Sequence, residues 1–155
     1  MTTLTLVHVV LSLAGIASGL VVLFGLIASK RLDGWTTVFL TTTIATSVTG
    51  FVFPIHEFTP GIAIGILSLI ILAIAVVARY VQHFAGVWRT TYVITATIAL
   101  YLNIFVLIVQ LFRKVPALTE LAPTQSEPPF AVAQGVVFAT FVVLGIFAVR
   151  KFRGA

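Results

Sequence analysis

Three features of the chain predict an all-α fold, a polytopic transmembrane helical bundle. Its 155 residues are 60% hydrophobic and only 8% charged, where soluble domains carry about 25% charge. The apolar residues fall into runs of about 20, the length that crosses a hydrocarbon core of about 30 Å as a helix. The basic residues collect at the ends of those runs, which reports topology and not a phosphate-binding surface. No nucleic-acid partner is expected.

Five runs qualify. The first, about 4–29, has no charged side chain apart from His8. It lacks a basic leader and is about twice as long as a signal peptide's apolar segment, so a retained helix is expected. The second covers about 35–53 and closes at Pro54, which cannot continue a helix. The third, about 60–78, opens with Thr59 as side-chain cap and Pro60 as first helical residue. The fourth runs over about 88–112, and the fifth, about 129–149, is entered through Pro128 and Pro129. The prediction is one transmembrane domain over 1–155, with hairpins at about 4–54 and 56–112, an outer connection at 113–128 and a last helix at about 129–150.

Alternate connections differ sharply in charge. Lys30, Arg31, Arg79, Arg89, Arg150, Lys151 and Arg153 share one side, and only Arg113 and Lys114 occupy the other. The positive-inside rule makes the first side cytoplasmic, with the N-terminus out and the C-terminus in. The collar also suits anionic lipid. Trp35, Trp88 and Tyr80 fall at the same level, where aromatic belts lie.

The two hairpins echo each other. Gly15-Ile16-Ala17-Ser18-Gly19 matches Gly61-Ile62-Ala63-Ile64-Gly65, each after a histidine, and TTVFLTTTIAT at 36–46 matches TTYVITATIAL at 90–100 at six of eleven places. A duplicated hairpin plus one extra helix is predicted, the copies being parallel repeats about an axis along the membrane normal. Small residues four apart permit close backbone approach between helices. That spacing marks Gly15 with Gly19, Gly61 with Gly65, Thr43 with Ser47, and Thr46 with Gly50 as packing positions. The matched stripes Thr37, Thr41, Ile44 and Thr91, Thr95, Ile98 are expected to be packing faces as well.

Chemistry is sparsely marked. Without cysteine there is no thiolate, disulfide or iron–sulfur site, and no nucleophile–base pair, phosphate loop or HExxH motif appears. No catalytic residue is assigned, and hydrolytic or phosphoryl-transfer chemistry is not expected. His8 and His56 sit near the outer ends of their helices, as paired haem ligands do in membrane cytochromes. With Glu57, and Glu120 or Glu127, they also make a candidate metal set of imidazole and carboxylate. Tyr101, Asn103, Gln110 and Gln134 are candidate polar contacts for a ligand such as a quinone, or hydrogen-bonding groups between helices. In the outer connection, PALTELA places Leu118 and Leu121 for an interfacial segment.

The HxxxxxxGIASG start, the RLDGW turn and the loop KVPALTELAPTQSEPPF resemble a group of small bacterial inner-membrane proteins, over most of the chain. The resemblance implies a multi-pass inner-membrane location and carries no activity. The expected role is binding through packed helices, as a homo-oligomer or as an accessory subunit of a membrane complex. The alternatives are a haem-, metal- or quinone-binding redox protein and an oligomeric pore or transporter.

Overall fold

The computed structural model describes residues 2–54 and 57–154, and among them every regular element is a helix. The helices are α1 (Thr3–Ile27), α2 (Asp33–Gly50), α3 (Pro60–Val76), α4 (Trp88–Lys114), the short α5 (Pro116–Leu121) and α6 (Pro128–Lys151). A π-helical turn, Val77–Val81, prolongs α3. Among the described residues, four helices are long and apolar enough to cross a membrane: α1, α3 with its π turn, α4 and α6. α2 is shorter, at 18 residues, and carries seven threonines.

Local chemistry fixes the helix ends. The Thr2 hydroxyl accepts from the Thr5 amide and the Thr59 hydroxyl from the Ile62 amide, with Pro60 following as anticipated. α2 starts after Leu32, held in the left-handed region at φ 46, and has Asp33 in its first turn where a negative charge suits the helix dipole. Arg113 and Lys114 end α4, and Arg150 and Lys151 end α6, where cations suit it.

α4 is the central helix, touching α1, α3 and α6 along its length and α2 at one edge. It buries Tyr92, Val93, Ala96, Ala99 and Leu100, and its alanines let neighbouring backbones come close. α1 lies against α2, α4 and α6. A side chain at Gly19 would meet Leu100 at 2.6 Å and the Phe39 ring at 2.8 Å, so the missing Cβ is what seats α1 between α2 and α4. Gly15 does the same for polar groups: a Cβ there would lie 3.0 Å from the Thr43 hydroxyl, 3.2 Å from the Asn103 amide nitrogen and 3.3 Å from the Thr42 hydroxyl.

The threonine stripe is rotated from its expected place. Thr37 and Thr41 face outward, and α2 packs through Thr36, Phe39, Leu40 and Thr43. The bulk of Phe39 and Leu40 sets which face turns inward. The outward hydroxyl of Thr37 is already bonded to the Asp33 carbonyl at 3.0 Å. Thr42, Thr46 and Thr49 bond likewise to carbonyls four residues back, at 2.6–2.8 Å. On α4, Thr95 is buried and Ile98 exposed.

The 113–128 connection is helix and turn tied back to α4. Thr119 donates to the Phe112 carbonyl at 2.8 Å and Gln125 Nε2 to the Val109 carbonyl at 2.8 Å. Phe112 meets Phe130 edge-on with centroids 5.3 Å apart. Leu118 is half-buried on α5 and Leu121 is exposed. Ahead of α6, the Glu127 carboxylate accepts from the hydroxyl and amide of Thr124 and from the Ser126 amide.

Replacing Gly19 by Leu should destabilise the single chain by about 1–3 kcal/mol through overpacking. The check is the unfolding midpoint in detergent, and an unchanged midpoint would refute the close α1–α2–α4 contact. Glu127 supplies a pH dependence. The Thr124 hydroxyl, followed by the backbone amides, lowers its pKa from the ordinary value. A lowered folded pKa means that the turn's stabilisation is complete above the unfolded value and is lost as pH falls through the folded one. Amide exchange at Thr124 and Ser126 should accelerate relative to the intrinsic rate over that acidic interval, and Glu127→Gln should abolish the dependence.

Candidate functional site

The densest arrangement of polar chemistry lies at the basic end of the bundle, around Arg79. A guanidinium is charged at any accessible pH and offers five N–H donors with no acceptor. Burying one requires an anion, hydrogen-bond acceptors, or ring faces around it. The π turn carries Arg79 inward until its side chain is 1% exposed. Nη2 donates to the Asp33 carboxylate and, at 3.5 Å, to the Arg31 carbonyl. Nη1 donates to the Tyr92 hydroxyl at 3.3 Å. The rings of Phe84 and Tyr92 stand with centroids 5.4 Å from the guanidinium carbon, and that of Tyr80 stands at 5.7 Å.

Four separate segments meet at this charge. Asp33 begins α2 and Tyr92 lies in the first turns of α4. Phe84 comes from the turn before α4, at φ 62, a left-handed conformation that costs a bulky side chain about 1–3 kcal/mol. Its ring contacts hold it there: Tyr92 at 5.1 Å, Phe152 at 5.3 Å and the Arg31 guanidinium at 5.2 Å. Phe152, fully buried, ends the chain's last helix, and Arg89 donates to its carbonyl. The Arg153 amide donates to the Ser29 hydroxyl at 2.9 Å, which ties that tail to the end of α1.

Charge at this end is lopsided. Asp33 is 70% exposed while its partner Arg79 is enclosed, and Asp33 also pairs with Arg31 at 3.3 Å. The outer pair is solvated and worth about 0–1 kcal/mol. The inner contact compensates a cation that water does not reach. The cage is suited to positioning elements, since its central guanidinium draws together Asp33 of α2, Tyr92 of α4 and Phe84 of the turn before α4.

A second polar cluster lies between α1, α2 and α4. The Ser12 hydroxyl donates to Asn103 Oδ1 at 2.9 Å, and Asn103 Nδ2 returns a bond to the Ser12 carbonyl at 3.3 Å. The Thr43 hydroxyl beside them is buried with no hydrogen-bond partner among the described residues. Farther toward the N-terminal end of α1, His8 Nδ1 lies 2.8 Å from the Thr49 hydroxyl and its ring meets Phe53 edge-on at 5.4 Å.

The sequence-marked residues are therefore spread out. His56 lies outside the described residues, and Glu57 is exposed. Among the described residues no three histidine or carboxylate side chains approach closely enough to hold a metal ion. Asn103 faces α1, and Tyr101 faces α6 among Phe105, Phe138 and Phe141. Gln134 donates to the Phe105 carbonyl at 3.2 Å, leaving Oε1 buried without a partner among the described residues, and Gln110 is half-buried on α4. Of the packing positions, Gly65 backs onto the Phe51 ring, Gly50 lies near His8, and Gly61 has only the Thr59 hydroxyl close by. Ser47 is half-buried. Lys30, Arg31, Arg150, Lys151 and Arg153 form an exposed collar, whereas Arg79 is inside it and Arg89 is half-buried.

Sequence reasoning missed the cage partners Tyr92 and Phe84, and Phe152 packed behind them. The available signal was Asp33, an acidic residue two positions after Arg31. Searches against family models, curated proteins and solved structures return no match.

Asp33→Asn should lower stability by about 1–3 kcal/mol, because it strands an enclosed charge while the lost carboxylate was already partly screened. Adding Arg79→Met should recover most of that loss by removing the charge and keeping a flexible stem in the ring cage. Melting of both variants in detergent checks this; a double variant no more stable than Asp33→Asn would show that the cage needs the guanidinium itself.

Proposed function

We propose that the chain is a five-span protein of the bacterial inner membrane, N-terminus out and C-terminus in, that acts by binding a second copy of itself through α6. The observation that carries this reading is on the outward face of α6. Ala131, Gly135 and Ala139 recur at four-residue spacing and are all exposed, and a Cβ built at Gly135 has nothing within 4 Å. Small residues so spaced are what lets two membrane helices approach. Gly15, Gly19 and Gly65 are already occupied by contacts within the chain, so assembly falls to a different surface.

Support for α2 as the fifth span comes from its alignment with α1. Thr49 lies beside His8, Thr43 beside Gly15 and Phe39 beside Gly19, so the two helices run antiparallel over their lengths. Eighteen residues rise about 27 Å, and the self-bonded threonine hydroxyls reduce the cost of placing them in lipid. The seven-to-two division of basic residues supports the orientation. The hairpin repeat is supported by the threonine-rich second helix of each pair, the second pair having the longer turn with its π-helical extension.

Donor- and acceptor-labelled copies mixed in liposomes should show energy transfer that falls as lipid is added, and Gly135→Leu should reduce it severalfold while leaving the unfolding midpoint unchanged. Absence of transfer in the unsubstituted protein would sink self-association and leave an accessory subunit of another complex.

A further inference from the structure

The inner half of α6 and the facing part of α4 enclose a groove of about 360 Å³ that opens sideways. Its walls are apolar, from Ile94 and Ile98 of α4 and Phe141, Val142 and Ile146 of α6, and Arg150 stands at one end. We propose that this groove is a binding site for an anionic phospholipid, one acyl chain lying between α4 and α6 and the phosphate pairing with Arg150. The proposal requires α6 to be in the bilayer and does not require α6 to self-associate.

Length and charge both select this occupant. Phe138 and Arg150 mark the two ends of the groove on α6; twelve residues at about 1.5 Å each separate them by roughly 18 Å. Half of a hydrocarbon core of about 30 Å is about 15 Å. The groove is thus one leaflet deep, from Arg150 at headgroup level to Phe138 and Tyr101 near the midplane. Gly145 keeps the middle open: a Cβ there would only touch Thr97 Cγ2, at 3.5 Å.

Arg150 is also the collar cation left available at this position. Arg79 is bonded to Asp33 and Tyr92, Arg31 to Asp33, and Arg89 to the Phe152 carbonyl. Arg150 is exposed and makes no ion pair or side-chain hydrogen bond among the described residues. A phosphodiester offers a guanidinium the bidentate acceptor it lacks here. Lys151, the next residue, is exposed as well but is not part of the groove wall. That difference separates a site from general attraction to a charged surface.

The test uses the full chain in phosphatidylcholine vesicles containing a trace of spin-labelled phosphatidylglycerol or spin-labelled phosphatidylcholine, and reads the motionally restricted fraction. The unsubstituted protein should restrict phosphatidylglycerol preferentially. Arg150→Gln should lower that preference about fivefold, the factor given by roughly 1 kcal/mol for one basic residue at an anionic surface. Arg150→Lys should retain most of the preference, Lys151→Gln should leave it unchanged, and Gly145→Leu should remove the restricted component by filling the groove. Equal losses in Arg150→Gln and Lys151→Gln would overturn the site in favour of diffuse surface charge. A Gly145→Leu variant that changes the oligomer and not the lipid signal would assign the groove to a neighbouring copy and overturn it too. Should Gly145→Leu fail to fold, the Arg150 and Lys151 pair still decides.

Discussion

In a bilayer, apolar helices gain no hydrophobic free energy by touching one another, so contact has to come from close van der Waals approach and from polar bonds. The bundle follows that constraint from one end to the other. Gly19 removes the Cβ that would otherwise strike Leu100 and Phe39. Gly15 removes the one that would displace two hydroxyls and an amide. Because both glycines lie on α1 and both serve α2 and α4 together, they align three helices and leave α3 and α6 to be added at the edges.

At the basic end the constraint is met by charge instead of closeness. The π turn advances the chain so that Arg79 points into the bundle, and the enclosed cation then requires Asp33, the Arg31 carbonyl and the Tyr92 hydroxyl to be where they are. Phe84 supplies a wall only by adopting a left-handed backbone, and Phe152, just after α6, backs the Phe84 and Tyr92 rings. A π-helical turn is rare overall and frequent at functional sites. Here it turns a topological charge into the keystone of four segments.

Helix positions, caps and the charge asymmetry were legible in the sequence because each depends on residues near one another in the chain. Thr59–Pro60 capped α3 as read, and the 18-residue α2 emerged from a run with seven threonines. The inward face of α2 was not legible, since threonine hydroxyls bonded to their own helix at Thr37 and Thr42 tolerate either orientation. Facing was decided by Phe39 and Leu40, which are buried, Phe39 against Gly19 of α1. The cage was hidden for a similar reason: Arg79 and Asp33 are 46 residues apart, and both occupy run ends where charges ordinarily meet water.

What α6 contributes follows from how little of it the chain uses. Only Gln134, Phe141 and Ala148 are buried along its 24 residues, and Gln134 and Phe141 meet α4. Had α6 evolved only to thicken the bundle, a Leu-rich outer face would serve, since lipid accepts any apolar side chain. Instead its N-terminal half presents Ala131, Gly135 and Ala139, and its C-terminal half leaves an open groove at Gly145 ending at Arg150. Small residues on a lipid-facing surface forgo contact with lipid tails unless another backbone or chain comes close. The α1–α2–α4 core packs closely at its glycines, and α6 leaves most of its surface outside that packing.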